Sequence, residues 1–229
     1  MITEHFYNDR NQLVIDLNQH LVAHLTQAIH RRGQASLVLP GGKTPVPLFD
    51  LLAQQKLEWS HITLLLTDER WLASDHPDSN EALIRNHILN KTPARFISLY
   101  SGDPQPEAGA KIIEQRLQTL VWPTDICLLG MGEDGHIASL FADAPEFSQG
   151  VSPQNAALCI STRPPQAAHA RMSLTLNALL NSREIILFIF GENKKKIYET
   201  ARNNHKILSL PIGHALHRSS VPVHIYWSA

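Results

Sequence analysis

Apolar residues recur along this chain in two alternating rhythms, and the alternation predicts its elements. Leu13, Leu17, Leu21, Leu25 and Ala28 fall three to four positions apart, which predicts one long amphipathic helix from about Asp9 to Arg32. Ala35 to Leu39 follows as a short, mainly apolar run that predicts a strand. Pro45 and Pro47 then open a helix carrying Phe49, Leu51 and Leu52, because proline lacks an amide that the first turn does not need. Ile62 to Leu66 predicts a second strand and Asp68 to Asp78 a polar loop. Ser79 or Asn80 is placed to cap a helix with Leu83, Ile84, His87 and Ile88. Phe96 to Tyr100 predicts a short strand, Pro106 to Leu120 a helix and Asp125 to Leu129 another strand. Beyond a long loop at Phe141 to Gln154, strands are predicted at Ala157 to Ser161, Glu184 to Phe190 and Val223 to Tyr226, and a helix at Glu192 to Ala201.

Strands alternating with helices imply an α/β fold, a mainly parallel sheet with helices on both faces. No internal repeat, low-complexity tract or linker interrupts the pattern, so residues 1–229 are expected to form a single α/β domain. At 43% hydrophobic and 18% charged, the chain can bury a sizeable core. A net charge of -1 shows no bias toward nucleic acid or an anionic membrane, so any anion specificity must be local. The two cysteines, Cys127 and Cys159, both fall in predicted strands; they make no disulfide framework and fit a reducing compartment. The amino terminus lacks a basic start and an apolar core, and no run approaches the roughly 18 apolar residues of a membrane span. A soluble cytoplasmic protein with no nucleic-acid or membrane partner is expected, and a monomer, since nothing resembles a coiled coil or a large apolar patch.

Candidate chemistry gathers where predicted strands end. After Asp125 to Leu129, Gly130, Gly132 and Gly135 spell GxGxxG, the dinucleotide fingerprint, but Glu133 and Asp134 would sit among the amides meant for a pyrophosphate. The next strand, moreover, ends in Thr162 and Arg163 and not in the acidic residue expected about 20 positions on. The glycines instead turn the chain to present Asp134 and His136 at the strand's carboxyl end, where α/β proteins keep their chemistry. Between the strand at Ala35 to Leu39 and its following helix, Pro40-Gly41-Gly42-Lys43-Thr44-Pro45 has the makings of a phosphate cradle, with amides turned outward at a helix amino terminus. It is not a Walker A loop, because Leu37 stands where the first glycine is needed. Asp68, Glu69 and Arg70 leave the second strand either as a solvated loop or facing the same crevice. No His-Glu-x-x-His spacing or GxSxG elbow occurs, and the histidines other than His136 are expected to be surface or satisfied core residues.

Taken in order, Pro40 to Pro45, Asp68-Glu69-Arg70, Asp78-Ser79-Asn80, Leu129 to His136 with Ala138-Ser139-Leu140-Phe141, Arg171, and Gly191-Glu192-Asn193-Lys194 resemble the 6-phosphogluconolactonase family. The resemblance implies a modified doubly wound, Rossmann-like sheet shared with glucosamine-6-phosphate deaminase and ribose-5-phosphate isomerase. It also implies hydrolysis of 6-phospho-D-glucono-1,5-lactone to 6-phosphogluconate, a small sugar-phosphate lactone being the partner, with no metal or organic cofactor. His136 is then the expected base that deprotonates water, and Asp134 the carboxylate that orients or stabilises its imidazole, although residues two apart in a turn need not touch. Arg70 and amides near Gly132 to Gly135 are candidate oxyanion donors, Arg70 being equally able to pair with Asp68 or Glu69. The resemblance assigns the phosphate to Gly41, Gly42, Thr44, Arg171 and Lys194, and places Asp68, Glu69 and Gly132 in the pocket. Lys43 either adds a phosphate contact or faces solvent; Lys195 and Lys196 are expected to be solvated. Ile137 and Ala142-Asp143 depart from the threonine and proline-glycine usual in the family. Ile137 raises the deaminase alternative, but no carboxylate occupies Ser139 to Ala142, where the deaminases have one. A non-catalytic sugar-phosphate sensor is a further alternative, though the chain has no room for a helix-turn-helix domain.

Overall fold

The computed structural model describes residues 1–204 and 209–229; His205, among the histidines set aside above, lies outside them. Its elements run β1 (Ile2–Tyr7), α1 (Arg10–Arg32), β2 (Ala35–Leu39), α2 (Val46–Ala53), β3 (Ile62–Leu66), β4 (Asp68–Arg70), α3 (Asn80–His87), β5 (Arg95–Ile97) and α4 (Pro106–Gln118). They continue with β6 (Ile126–Leu129), α5 (Phe147–Gly150), β7 (Cys159–Thr162), β8 (Arg171–Leu174), α6 (Leu176–Leu180), β9 (Ile185–Phe190), α7 (Glu192–Asn203), α8 (Pro211–Arg218) and β10 (Val223–Ser228).

Local chemistry sets the bounds of α1. The Asp9 side chain accepts from the Asn11 amide at its start, and Gly33 ends it in the left-handed region at φ 75°, open to a residue without a Cβ. Between these stops the stripe of Leu13, Leu17, Leu21 and Leu25 is wholly buried, each leucine contributing about 2 kcal/mol of transfer free energy. Among the described residues no helix is long and apolar enough to cross a membrane. Both cysteines are free and buried, and burial pushes each thiol up to about 12.

Seven strands form one parallel sheet in the order β1-β10-β9-β6-β2-β3-β5. β2 and β6 lie side by side at its centre, and from them the chain winds outward in opposite directions. That pair is the switch point of a doubly wound sheet, where the loops leaving the strands part and a crevice opens. The central strands β2 and β6 are buried at every position, as strands covered on both faces must be.

A second, antiparallel sheet of three strands, β4-β8-β7, corrects the sequence expectation in two places. Asp68 to Arg70, expected as loop, is β4, and β8 and α6 fall where no element was predicted. The expected loop at Phe141 to Gln154 contains the short α5, and β1 adds an edge strand that was not predicted. Glu69, expected in the pocket, is fully buried and holds the small sheet to α3 instead. Its Oε1 accepts from the Arg70 and Asn80 amides at 2.7 Å, and its Oε2 from the Glu81 amide at 2.6 Å and the Ser79 hydroxyl at 3.0 Å. Burial pushes this carboxyl up to about 7, although the four donors favour the anion. Glu69→Gln replaces one acceptor with an amide that faces donors. It is expected to lower unfolding free energy by about 1–3 kcal/mol, measured by urea denaturation; an unchanged midpoint would show that Glu69 does not anchor α3.

Candidate active site

The crevice at the switch point is a cleft of about 200 Å³ built from the carboxyl ends of four neighbouring parallel strands and the edge of the small sheet. After β2, Gly41, Gly42 and Thr44 form one wall. Gly42 sits at φ 86°, a conformation that favours glycine, and a Cβ at Gly41 would meet the Asn80 side chain at 2.0 Å, so a side chain there would have to displace Asn80. After β3 come Thr67, Asp68 and Arg70; after β6, Gly130, Met131, Gly132 and His136; from β8, Arg171; and after β9, Lys194 in the first turn of α7. Lys43 is exposed and outside the lining. Lys195, expected in solvent, lies over the Trp227 ring at 4.1 Å, while Lys196 is exposed.

The turn after β6 folds back on itself. The Gly132 amide donates to the His136 carbonyl at 2.9 Å and the Gly135 amide to the Gly132 carbonyl at 3.2 Å, with Gly135 at φ 80°. This tight turn brings Asp134 and His136 into contact, Nδ1 lying 2.6 Å from Oδ1. An ionised carboxylate can only accept, so Nδ1 carries the proton and Nε2 keeps its lone pair. Burial works against the Asp134 anion, but the charge and hydrogen bonds of His136 hold its carboxyl below its ordinary value. Phe141 stacks on the imidazole at 3.9 Å between centroids, fixing the ring from its face. Ile137, the residue that raised the deaminase alternative, is fully buried in the core. Asp143 is exposed and outside the cleft lining, where Asp68 is the one carboxylate among the described residues.

The small sheet supplies the positive charge. In the β4–β8 register Arg70 stands directly opposite Arg171, a like-charge pairing that is unfavourable unless an anion offsets it. Arg70 Nη1 donates to the Asp78 carbonyl at 2.6 Å, and Arg171 Nη1 lies 3.7 Å from Asp68 Oδ2. The Nε atoms of both are buried with no hydrogen-bond partner among the described residues. Burial pulls the Arg171 guanidinium below its ordinary value, Asp68 opposing and Arg70 adding to the shift. Asp68 is held in turn by hydroxyls, accepting from Ser139 at 2.5 Å and Thr67 at 3.0 Å. Unmade donors on two cations beside an amide-rich turn describe a site for an anionic ligand.

Of the residues expected in the site, Gly41, Gly42, Thr44, Asp68, Arg70, Gly132, His136, Arg171 and Lys194 line this cleft, Asp134 supports His136 from behind, and Glu69 does not take part. Sequence reasoning gave no role to Phe141 or Ser139, and placed Asn80 only as a candidate helix cap, a place that Ser79 takes. Their one signal was membership of the ordered set of motif segments.

Fold and cleft together define an α/β protein with a cationic crevice at the switch point of its sheet. The profile of glucosamine-6-phosphate isomerases and 6-phosphogluconolactonases matches residues 8–227, and the chain belongs to that family. It is 35% identical to a 6-phosphogluconolactonase of Pseudomonas putida over 97% of this chain and 91% of that one. A crystal structure of a 6-phosphogluconolactonase from Shewanella baltica superposes with a TM-score of 0.95 at 36% identity, covering 100% of this chain and 98% of that one. A monomeric glucosamine-6-phosphate deaminase shares the fold, with a TM-score of 0.78 at 19% identity over 99% of this chain and 97% of that one.

The contact between Asp134 and His136 depends on the absence of a side chain at Gly132, where a Cβ would lie 2.2 Å from His136 Nδ1. Nitrogen NMR of the imidazole is expected to show the Nδ1-protonated tautomer in the wild type and its loss in Gly132→Ala. The same tautomer in both proteins would contradict this geometry.

Proposed function

We propose that this chain hydrolyses 6-phospho-D-glucono-1,5-lactone to 6-phospho-D-gluconate, the second step of the oxidative pentose phosphate route, with His136 as general base. The observation that carries the reading is the imidazole held by Asp134 at 2.6 Å inside the cleft that Arg70, Arg171 and Lys194 also line. With Nδ1–H given to Asp134, Nε2 takes a proton from water as the oxygen attacks the lactone carbonyl. Asp134 then faces an imidazolium and stabilises it without itself accepting the proton. Negative charge develops on the carbonyl oxygen, for which Arg70 and the amides of Gly132 to Gly135 are the donors. When the tetrahedral intermediate collapses, the bond from the carbonyl carbon to the ring oxygen breaks. The imidazolium returns its proton to that oxygen, leaving a carboxylic acid, which ionises, and a hydroxyl.

The phosphate lies at the other end of the sugar. Gly41, Gly42 and Thr44 offer donors from one wall, and Arg171 and Lys194 neutralise the dianion from the other. Residues 1–229 act in this reading as one domain, monomeric and cytoplasmic. Among the described residues the large exposed apolar side chains are Met1, Phe6, Ile15, Ile112 and Val121, and apart from Met1 and Phe6 at the β1 edge they come from separate elements or loops, which supports the monomer.

Generating the lactone in situ and subtracting its spontaneous hydrolysis tests the proposal. His136→Ala is expected to lower kcat/KM by roughly 10²–10⁴. Lys194→Gln is expected to raise KM by about tenfold or more with kcat little changed, since a charge-assisted contact to phosphate is made equally in ground and transition states. Undiminished acceleration by His136→Ala would remove it as the base. No acceleration by the wild type, with ammonia released from glucosamine-6-phosphate, would replace the lactonase with a deaminase.

A further inference from the structure

At the amino ends of the parallel strands, on the side of the sheet away from the cleft, four polar side chains from three separate parts of the chain converge. His20 and His24 stand one turn apart on α1, Glu184 immediately precedes β9, and His224 is the second residue of β10. His20 Nε2 lies 2.5 Å from Glu184 Oε1, His24 Nδ1 2.5 Å from Oε2, and His224 Nε2 3.3 Å from Oε1. Glu184 is only 4% exposed. The contact of its Oε2 with His24 is not aligned as a hydrogen bond, so this buried oxygen has no hydrogen-bond partner among the described residues. One ligand atom from each of His20, His24 and Glu184 can be chosen so that all lie within 4.8 Å of one another. Ligands of a tetrahedral zinc ion stand about 3.3 Å apart, so small rotations of the two rings would admit the ion.

We propose that His20, His24 and Glu184, with His224 beside them on β10, form a three-ligand binding site for a zinc-class divalent cation that clips α1 to β9. Two imidazoles one helical turn apart and a carboxylate brought from elsewhere in the fold are a donor set suited to zinc; magnesium and calcium take all-oxygen sets. The second sphere fits too. His5 Nε2 lies 3.0 Å from His224 Nδ1, an outer contact that turns the Nε2 of His224 toward Glu184. Arg31, Arg32 and Arg183 line the same depression, and Asp125, which pairs with Arg32 and lies 3.4 Å from Arg183, offsets part of their charge. The site lies away from the reacting centre, so its effect is on stability.

Untagged protein, stripped with chelator, is titrated with Zn²⁺ by calorimetry and melted with and without the ion, with Mg²⁺ as the control. One zinc per chain at micromolar affinity or better is expected, with a Tm rise of roughly 5–10 °C at a hundredfold excess over Kd. His24→Ala, at a half-exposed helical position that alanine suits, is expected to weaken binding at least tenfold and abolish the Tm rise. His136→Ala is expected to bind zinc as the wild type does, which separates this site from the cleft. Absence of wild-type binding at 100-micromolar zinc (roughly the weakest affinity a structural clip could use), or equal affinity in His24→Ala, would overturn the proposal.

Discussion

The side-by-side pairing of β2 with β6 is the constraint on which the site depends. Because the chain leaves these two strands in opposite directions, their carboxyl-end turns have no covering connection between them, and a crevice must open there. Both turns are glycine-rich for steric reasons visible at single atoms: Asn80 fills the space beside Gly41, and the imidazole of His136 fills the space beside Gly132. The pairing therefore puts an amide-lined turn and a carboxylate-oriented histidine on facing sides of one cleft. Neither belongs to a dinucleotide site, although Gly130, Gly132 and Gly135 have the spacing of one.

Onto this frame the small sheet brings an electrostatic imbalance. Arg70 and Arg171 face each other across β4 and β8, partly buried and with donors unmade. Asp68, braced by Ser139 and Thr67, offsets only part of that charge. Glu69, one residue on, is oriented the other way and is taken up by the start of α3, so it fixes the small sheet without neutralising the cleft. Neighbouring carboxylates thus divide the work, and the cationic excess that remains is what a phosphorylated sugar acid or lactone would satisfy.

Much of this was legible in the sequence. β6 and β9 are continuous apolar runs, β2 and β3 are broken only by Ser36 and Thr63, and their order with the helices sufficed for a parallel sheet. The ordered motif segments carried the family. The small sheet was not legible, because β4 is three residues long and all charged, and β8 runs directly into α6 without punctuation. β1 runs its polar residues Thr3, Glu4 and His5 together at an exposed edge and so shows no period-two alternation. The role of Glu69 could not be read from its neighbours, since a charged triplet leaving a strand looks the same whether it faces solvent, a ligand or a helix end. The cluster at Glu184 was hidden by distance: His20 is 164 positions away, and two histidines four apart on a helix mean little until a carboxylate arrives between them.

The most direct test of the account is a crystal structure with 6-phosphogluconate bound. The phosphate should lie against Gly41, Gly42 and Thr44 within hydrogen-bond reach of Arg171 and Lys194, with the product carboxylate beside Nε2 of His136 and near Arg70. A phosphate seated at His136 instead, or a ligand bound outside the crevice between β2 and β6, would contradict it.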